Sequence, residues 1–277
     1  MTTTESTVSD QGLPVLEGGP ELAFRVARPF ADGGTVSSSM PVGPWLNGPS
    51  GRPLAGALGV LIDNVLGYAI MLRRPPGGWS VSAEISLDLC GPVPDGTHVL
   101  RAEGRSDHSD ATGGIASCAV TDGSGRLIAL GRQHGRWIQM TPSAAPPGAG
   151  AESASPAAAA EGLTGLLGTP AAAGDGSAQL DLAVTRDLVN PLGNLHGGIT
   201  LGACDLVTQA ALAAVAGPPR TTSIHVAYTR PVPGGTAVRF TGRVLHRGRA
   251  FAVVQVTAAN ESGKPFAIAT VTTGAPA

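Results

Sequence analysis

Charged residues are scarce in this 277-residue chain, of which only 14% are Asp, Glu, Lys or Arg, well below the ~25% usual in a soluble domain. Lys264 is the single lysine, and the formal net charge is −2. Because nucleic acids and anionic membranes are bound by a strong positive field, the composition argues against both partners. The length corresponds to two domains, at ~150 residues each.

Cysteine is rare as well. Cys90, Cys118 and Cys204 are too few and too scattered for a disulfide framework or a zinc site of the CxxC type. The N-terminal segment lacks the basic and apolar regions of a secretory signal peptide. We therefore expect a reduced, cytoplasmic protein that uses no metal and no cofactor.

One segment, residues 54–72 (LAGALGVLIDNVLGYAIML), is almost as apolar as a membrane span. Asp63 and Asn64 interrupt it at the centre, where a carboxylate costs a membrane helix ~2.5–3.5 kcal/mol. The segment is therefore predicted to be a helix buried inside the protein.

A Pro/Ala/Ser/Gly-rich run at residues 141–161 divides the chain nearly in half and has no large apolar residue to bury. We expect a disordered lead-in at 1–20, an N-terminal unit at 21–140, the linker at 141–161 and a C-terminal unit at 162–277.

The two halves repeat one pattern. Residues 54–69 superpose on 196–211, with Asp63 and Asp205 each nine residues after the start, and Pro-Val-Pro recurs at 92–94 and 231–233. Each half then continues with strands of alternating polarity. This predicts an α+β tandem in which one apolar helix per unit is wrapped by five to six antiparallel strands. The two sheets could join edge to edge and so protect their edge strands.

The loop before the second helix reads Asn-Pro-Leu-Gly-Asn-Leu-His-Gly-Gly, residues 190–198. Backbone N–H groups at a helix start have no intrahelical partner, and the helix dipole there favours negative charge. Gly197 N–H and the Asn190 side chain could therefore hold the developing oxyanion of an ester or thioester.

These residues resemble a known family. The loop at 190–198, the helical Asp205, TTSIHVAYTRPV at 221–232, HRGR at 246–249 and SGK at 262–264 are similar to the PaaI-like hotdog-fold acyl-CoA thioesterases. The resemblance is close over 190–273 and only in outline over 40–137. It implies a tandem (double) hotdog, hydrolysis of acyl-CoA to free acid and CoA, no metal, and a helical carboxylate that acts as nucleophile or general base.

Helix geometry decides which groups can share a site. Gly197 and Asp205 are eight residues apart on one helix, or ~12 Å, so they cannot both reach one thioester carbon. If the two helices pair antiparallel, each glycine-rich loop meets the acid of the other half, and two sites result.

The two predicted sites differ in quality. The first combines the second-half loop with the first-half acid, and we expect it to be catalytic: Asn190, His196, Gly197, Asp63 and Ser82. The second combines the second-half acid with the first-half loop, and we expect it to be degenerate or only to bind ligand: Asp205, Thr221, Asn47 and Gly56. In that loop Leu54 replaces His196 and Ala55 replaces Gly197. The competing interpretation gives catalysis to Asp205, whose own half matches the family better.

Further substrate contacts are expected at Gly198 and at Arg247 and Arg249, whose guanidinium groups suit the phosphates of CoA, although an ordinary solvated hairpin explains these arginines equally well. Acyl-CoA is the expected partner. The two units form a pseudo-dimer within the chain, and two chains could pair again as a homodimer of the double hotdog.

Two other functions remain open. The degraded first-half loop is compatible with a protein that binds acyl-CoA without hydrolysis. A hotdog enoyl-CoA hydratase or dehydratase is the third hypothesis, but that class has a His about five residues after the helical Asp, where this chain has Tyr68 and Ala210.

Overall fold

The computed structural model describes residues 19–96, 98–139, 162–213 and 220–274. The predicted linker at 141–161 and all of the predicted lead-in except Gly19 and Pro20 lie outside these residues. Within them, no helix is long and apolar enough to span a membrane.

The described residues of the N-terminal unit form two α-helices and six strands. Helix α1 is Pro20–Ala23, and helix α2 is Gly59–Met71, preceded by a 3-10 turn at Ala55–Leu58. The strands are β1 (Phe30–Asp32), β2 (Thr35–Pro41), β3 (Gly78–Leu89), β4 (Val99–Ser109), β5 (Gly113–Thr121) and β6 (Leu127–Gln139). The predicted helix at 54–72 therefore starts as a tighter turn and continues as α2.

The C-terminal unit repeats this order. Helix α3 is Gly162–Leu167, and helix α4 is Gly197–Leu212. The strands are β7 (Ala171–Ala172), β8 (Ser177–Ala183), β9 (Arg220–Tyr228), β10 (Ala237–Arg247), β11 (Phe251–Ala259) and β12 (Pro265–Gly274).

All twelve strands form one sheet in the order β1-β2-β4-β5-β6-β3-β9-β12-β11-β10-β8-β7. The two units join through β3 and β9, which pair antiparallel from Glu84 opposite Ala227 to Asp88 opposite Ser223. The strands alternate as the sequence predicts: β4 and β10 bury every second residue along their first halves. One face of the sheet therefore covers the helices.

Helices α2 and α4 lie side by side in the core and approach closely at two glycines. A Cβ added to Gly198 would stand 2.4 Å from the Gly59 carbonyl oxygen, and one added to Gly59 would stand 2.5 Å from the Gly198 carbonyl oxygen. Neither position has room for a side chain. The glycines therefore let the N-terminal turns of the two helices pack directly against each other, and this contact creates the site.

Candidate active site

Asp63 of α2 lies against the start of α4 from the other unit. Its Oδ2 accepts a hydrogen bond from Gly198 N–H at 2.9 Å and lies 3.2 Å from His196 Nδ1. A Cβ on Gly197 would stand 2.7 Å from the same oxygen, so a side chain here would displace the Asp63 carboxylate. The structure thus brings together the predicted first-site residues Asp63, His196, Gly197 and Gly198.

The second oxygen of Asp63 is held by a relay of side chains from the sheet. Ser82 Oγ donates to Asp63 Oδ1 at 3.2 Å, and Gln133 Nε2 on β6 donates to Ser82 Oγ at 2.7 Å. The pairing of β3 with β6 shifts register between Ser82 and Glu84, a bulge of the kind that redirects side chains. The carboxylate is therefore fixed at both oxygens.

His196 caps the start of α4 and is almost fully buried, with 5% of its surface exposed. Its Nε2 lies 3.3 Å from Glu21 Oε1, and Asn64 Nδ2 donates to the same Glu21 oxygen at 3.3 Å. Burial alone would lower the pKa of His196, but the carboxylates of Asp63 and Glu21 raise it to about 9. Burial also opposes ionisation of Glu21, yet His196 and other hydrogen-bond donors keep the pKa of Glu21 below its usual value.

A cavity of about 430 Å³ opens in front of Asp63. Its wall includes residues of both units, among them Asp63, Ser82, Gln133, Asn190, His196 and Gly197. Much of the remaining wall is apolar, including Met71, Trp79, Val81, Ile138, Leu192 and Phe266, while Arg136 and Arg230 add positive charge. Gln133 Oε1 and Asn64 Oδ1 on this wall are buried without a hydrogen-bond partner among the described residues.

Asn190 holds the loop before α4 in shape. Its Oδ1 accepts from the backbone N–H groups of Leu192 at 3.0 Å and Asn194 at 3.2 Å. Gly193 has a φ of 74°, which glycine adopts without strain. Because the amide oxygen is used in the turn, only the NH₂ of Asn190 remains to donate toward the cavity.

The second predicted pair also meets across the two units. Asp205 Oδ2 accepts from Gly56 N–H at 2.8 Å, and Asp205 Oδ1 accepts from Thr221 Oγ1 at 2.6 Å. Asp205 is fully buried, at 0% exposure, whereas Asp63 is 9% exposed. Burial raises the pKa of Asp205 although these donors and Gln209 favour its charged form.

The second site differs from the first in one helix side chain and in its loop. Gln209, one turn after Asp205 on α4, donates to Asp205 Oδ1 at 3.3 Å and to Thr221 Oγ1 at 3.1 Å. The repeat places Gly67 at the equivalent position of the first unit, and a Cβ there would meet nothing within 4 Å. Asp205, Thr221 and Gly56 do not line the cavity that Asp63 faces.

The loop of the second site is packed rather than open. Leu54, which replaces His196, is 7% exposed and packs so tightly on Gly48 that a Cβ there would stand 2.7 Å from the leucine side chain. The Asn47 carbonyl accepts from Leu163 N–H of α3 at 2.9 Å. Helix α3 therefore covers this loop, and Asn47 lies under it.

Arg247 and Arg249 lie at the end of β10 and in the turn to β11, and neither lines the cavity. Their predicted contact with CoA phosphates stays a prediction. Two other arginines do line the cavity: Arg136 lies within β6, and Arg230 follows β9.

Sequence reasoning missed Glu21 and Gln133. Glu21 follows Gly19-Pro20, a pattern that signals a helix start, but it borders a segment predicted to be disordered. Gln133 is 2% exposed, and a polar residue at a buried position of an alternating strand could have been singled out as a candidate.

Comparisons with known proteins agree with this architecture. Residues 185–274 match the family model described as "Acyl-CoA thioesterase N-terminal domain". No curated protein matches the sequence. The TesB protein of Mycobacterium avium subspecies paratuberculosis superposes with a TM-score of 0.58 at 10% identity, covering 98% of this chain and 100% of that one. An acyl-ACP thioesterase from Bacteroides thetaiotaomicron gives a TM-score of 0.56 at 12% identity, covering 87% and 98%.

The chain is a double hotdog. Both structures align over most of the chain, so the predicted tandem fold is confirmed. The family match covers residues 185–274, so the C-terminal unit is similar to acyl-CoA thioesterases, as its sequence predicts. Assignment of the double hotdog to the PaaI-like subgroup, its location in the cytoplasm and the roles of individual residues stay predictions.

Proposed function

We propose that this double hotdog hydrolyses acyl-CoA thioesters at the first site, with Asp63 as general base. The observation that carries the proposal is the position of Asp63. It is a carboxylate with 9% exposure at the wall of a cavity, and it contacts the N-terminus of α4 from the other unit. This arrangement combines a base with an electropositive helix end.

Gly197 is the first residue of α4, a position whose N–H has no intrahelical acceptor. It lies on the cavity wall beside Asp63. An N–H donor at such a place stabilises the oxyanion of a tetrahedral intermediate, and loss of one comparable donor costs ~2.7–4 kcal/mol. We assign the oxyanion to Gly197 N–H, assisted by the NH₂ of Asn190.

The reaction then balances with these groups alone. Asp63 takes a proton from water as the water oxygen attacks the thioester carbon, and the carbonyl electron pair moves to the oxygen beside Gly197. When that pair returns, the C–S bond breaks and its electrons go to sulfur. The departing thiolate takes the proton from Asp63, which is ready for another cycle.

The surroundings of Asp63 favour a base over a nucleophile. Oδ2 lies against Gly197 and Gly198, and Oδ1 accepts a hydrogen bond from Ser82. With these neighbours, the carboxylate has room to accept a proton more easily than it has room to form a covalent bond to an acyl carbon.

The cavity wall also suits the substrate class. Its apolar part can bury an acyl group, and exposed Arg136 and Arg230 can meet the CoA phosphates. The second site lacks an open face at Asp205, so we assign one working site to each chain.

The test is thiol release from short, long and aromatic acyl-CoAs by the unaltered protein and by Asp63→Asn. We expect kcat/KM of the variant to fall at least ~100-fold, as for loss of a general base. Asp88→Asn, an exposed acid on the same strand as Ser82, serves as the matched control and should keep full activity.

An unchanged rate in Asp63→Asn would overturn the role of Asp63. Tight binding of acyl-CoA by the unaltered protein with no thiol release from any substrate would identify a binding protein instead. Equal thermal unfolding temperatures of the two variants would show that a lower rate does not result from loss of structure.

A further inference from the structure

Glu21 reaches the site from a short N-terminal element. Helix α1 begins after Gly19, which has a φ of 83° and whose Cβ would stand 2.9 Å from the Val189 carbonyl oxygen. Phe24 at the end of α1 is 2% exposed and anchors it in the core. The close contact with the loop before α4 places the Glu21 carboxylate, itself 9% exposed, beside His196.

The His196 ring therefore lies between two carboxylates. Nε2 is 3.3 Å from Glu21 Oε1, and Nδ1 is 3.2 Å from Asp63 Oδ2. A neutral imidazole has one N–H and one lone pair, so one nitrogen would direct its lone pair at a carboxylate oxygen. Only the doubly protonated ring donates to both acids. Gly198 N–H, 3.0 Å from Nδ1, has an alternative acceptor in Asp63 Oδ2 at 2.9 Å.

We propose that Glu21 is a positioning residue for the proposed hydrolysis: it holds His196 as an imidazolium that donates to Asp63 and places a positive charge beside the oxyanion position at Gly197. The role in hydrolysis rests on the proposed function. The charge of His196 does not, because it can be measured without substrate.

The other groups around His196 are consistent with this charge. The titratable groups facing it are Glu21 from α1, Asp63 from α2 and Tyr228 from β9. The Tyr228 hydroxyl donates to the Gly197 carbonyl at 2.8 Å, and burial raises its pKa well above the usual value, so it stays neutral. Arg136 and Arg230 stand on the same cavity wall and are exposed.

The second unit lacks both members of the pair. Gly162 is the first residue of α3, whereas Gly19 directly precedes α1, and Gly162 has a φ of 74° and a Cβ position 2.6 Å from the Asn47 carbonyl oxygen. Counting two residues on from each glycine, Thr164 stands where Glu21 stands in the first unit, and Leu54 stands in place of His196. The acid and the histidine thus occur together at the open site and are replaced together at the closed one.

The experiment follows the His196 ring by NMR in histidine-labelled protein between pH 5 and 10, without substrate. In the unaltered protein we expect His196 to stay protonated through neutral pH and to titrate near 9. Glu21→Gln keeps the shape and an acceptor but removes the charge, so the midpoint should fall by about 1–3 pH units. Glu21→Asp should restore part of the shift, and Glu103→Gln, an exposed acid on β4, should leave it unchanged.

The pH profile of kcat/KM supplies the second readout. The activity should decline above the midpoint of His196, so the alkaline limb of Glu21→Gln should move to lower pH by the same amount as the NMR midpoint. A His196 midpoint at or below 6.5 in the unaltered protein overturns the inference, as does a midpoint that Glu21→Gln does not move. If none of these proteins hydrolyses acyl-CoA while the NMR midpoints of His196 behave as expected, the result counts against the proposed function alone.

Discussion

Asp63 and Asp205 occupy the same place in the two repeats, and both accept a backbone N–H from the opposite unit. Both also accept a hydroxyl from the following strand, Ser82 in one case and Thr221 in the other. One difference between them is Gln209, which donates to Asp205 from within its own helix. Asp205 is thereby satisfied and closed, while Asp63 keeps an open side.

This difference gives Asp205→Asn a specific outcome. Burial raises the pKa of Asp205, so the folded chain holds that proton more tightly than the unfolded chain, and ionisation of Asp205 lowers the unfolding free energy as pH rises through the folded-state pKa. Asparagine does not ionise, so the variant does not lose stability in this way. Its unfolding free energy relative to that of the unaltered protein should therefore rise from pH 4 to pH 8. Urea unfolding at both pH values measures it.

Thiol release by Asp205→Asn should stay close to that of the unaltered protein. A loss of activity as large as that of Asp63→Asn would instead favour the interpretation that gives catalysis to Asp205.

The residues of the site were accessible to sequence reasoning to different degrees. The pairing of Asp63 with the loop at His196 and Gly197 followed from helix length, because one helix cannot bring its own loop and acid to one atom. Gln133 and Ser82 are 51 positions apart, and only the strand register brings them together. Glu21 depends on a backbone turn at Gly19 that no periodic pattern announces.

Among the elements, α2 and α4 carry the asymmetry of the molecule. The middle of α2 has Gly67 on the cavity wall, where the repeat gives α4 the long side chain of Gln209. Glycine inside a helix costs about 0.5–1 kcal/mol relative to alanine, so its presence is a local loss of stability. We infer that the absence of a side chain at Gly67 keeps the space beside Asp63 open for substrate.

Substitution of Gly67 tests this role. Gly67→Ala should raise the unfolding free energy by about 0.5–1 kcal/mol, because a Cβ there meets nothing within 4 Å. Gly67→Gln should fold equally well but obstruct the cavity as Gln209 does in the second site, and we expect KM to rise by about tenfold, a loss of ~1.4 kcal/mol in binding.

Thermal unfolding and steady-state kinetics of both variants provide the measurements, with Gly67→Ala as the control for changed helix stability. Equal KM values for Gly67→Gln and the unaltered protein would show that substrate does not pass this position.

The strands were predictable where alternation was clear. Polarity alternates along β4 and β10, and the observed burial follows it. The bulge beside Ser82 was not predictable, because a register shift depends on the partner strand β6 rather than on β3 alone.

At the scale of the whole molecule, duplication explains the unusual composition. Two helices are enclosed by one sheet of twelve strands, so much of the chain faces a core and needs no charge, in agreement with a charged fraction of 14%. The sheet is continuous through β3 and β9, so neither unit has an exposed edge there. The pairing also gives every site residues from both units, and divergence of one loop can close one site while the other stays intact.

We propose that each chain has one working site, at Asp63, although the fold repeats its parts twice. Calorimetric titration of the Asp63→Asn protein with an acyl-CoA tests this most directly, because the substrate survives while binding is counted. We expect one acyl-CoA per chain, and the same stoichiometry when Asp205→Asn is added. Two molecules per chain, or loss of binding on the change at Asp205, would contradict the account.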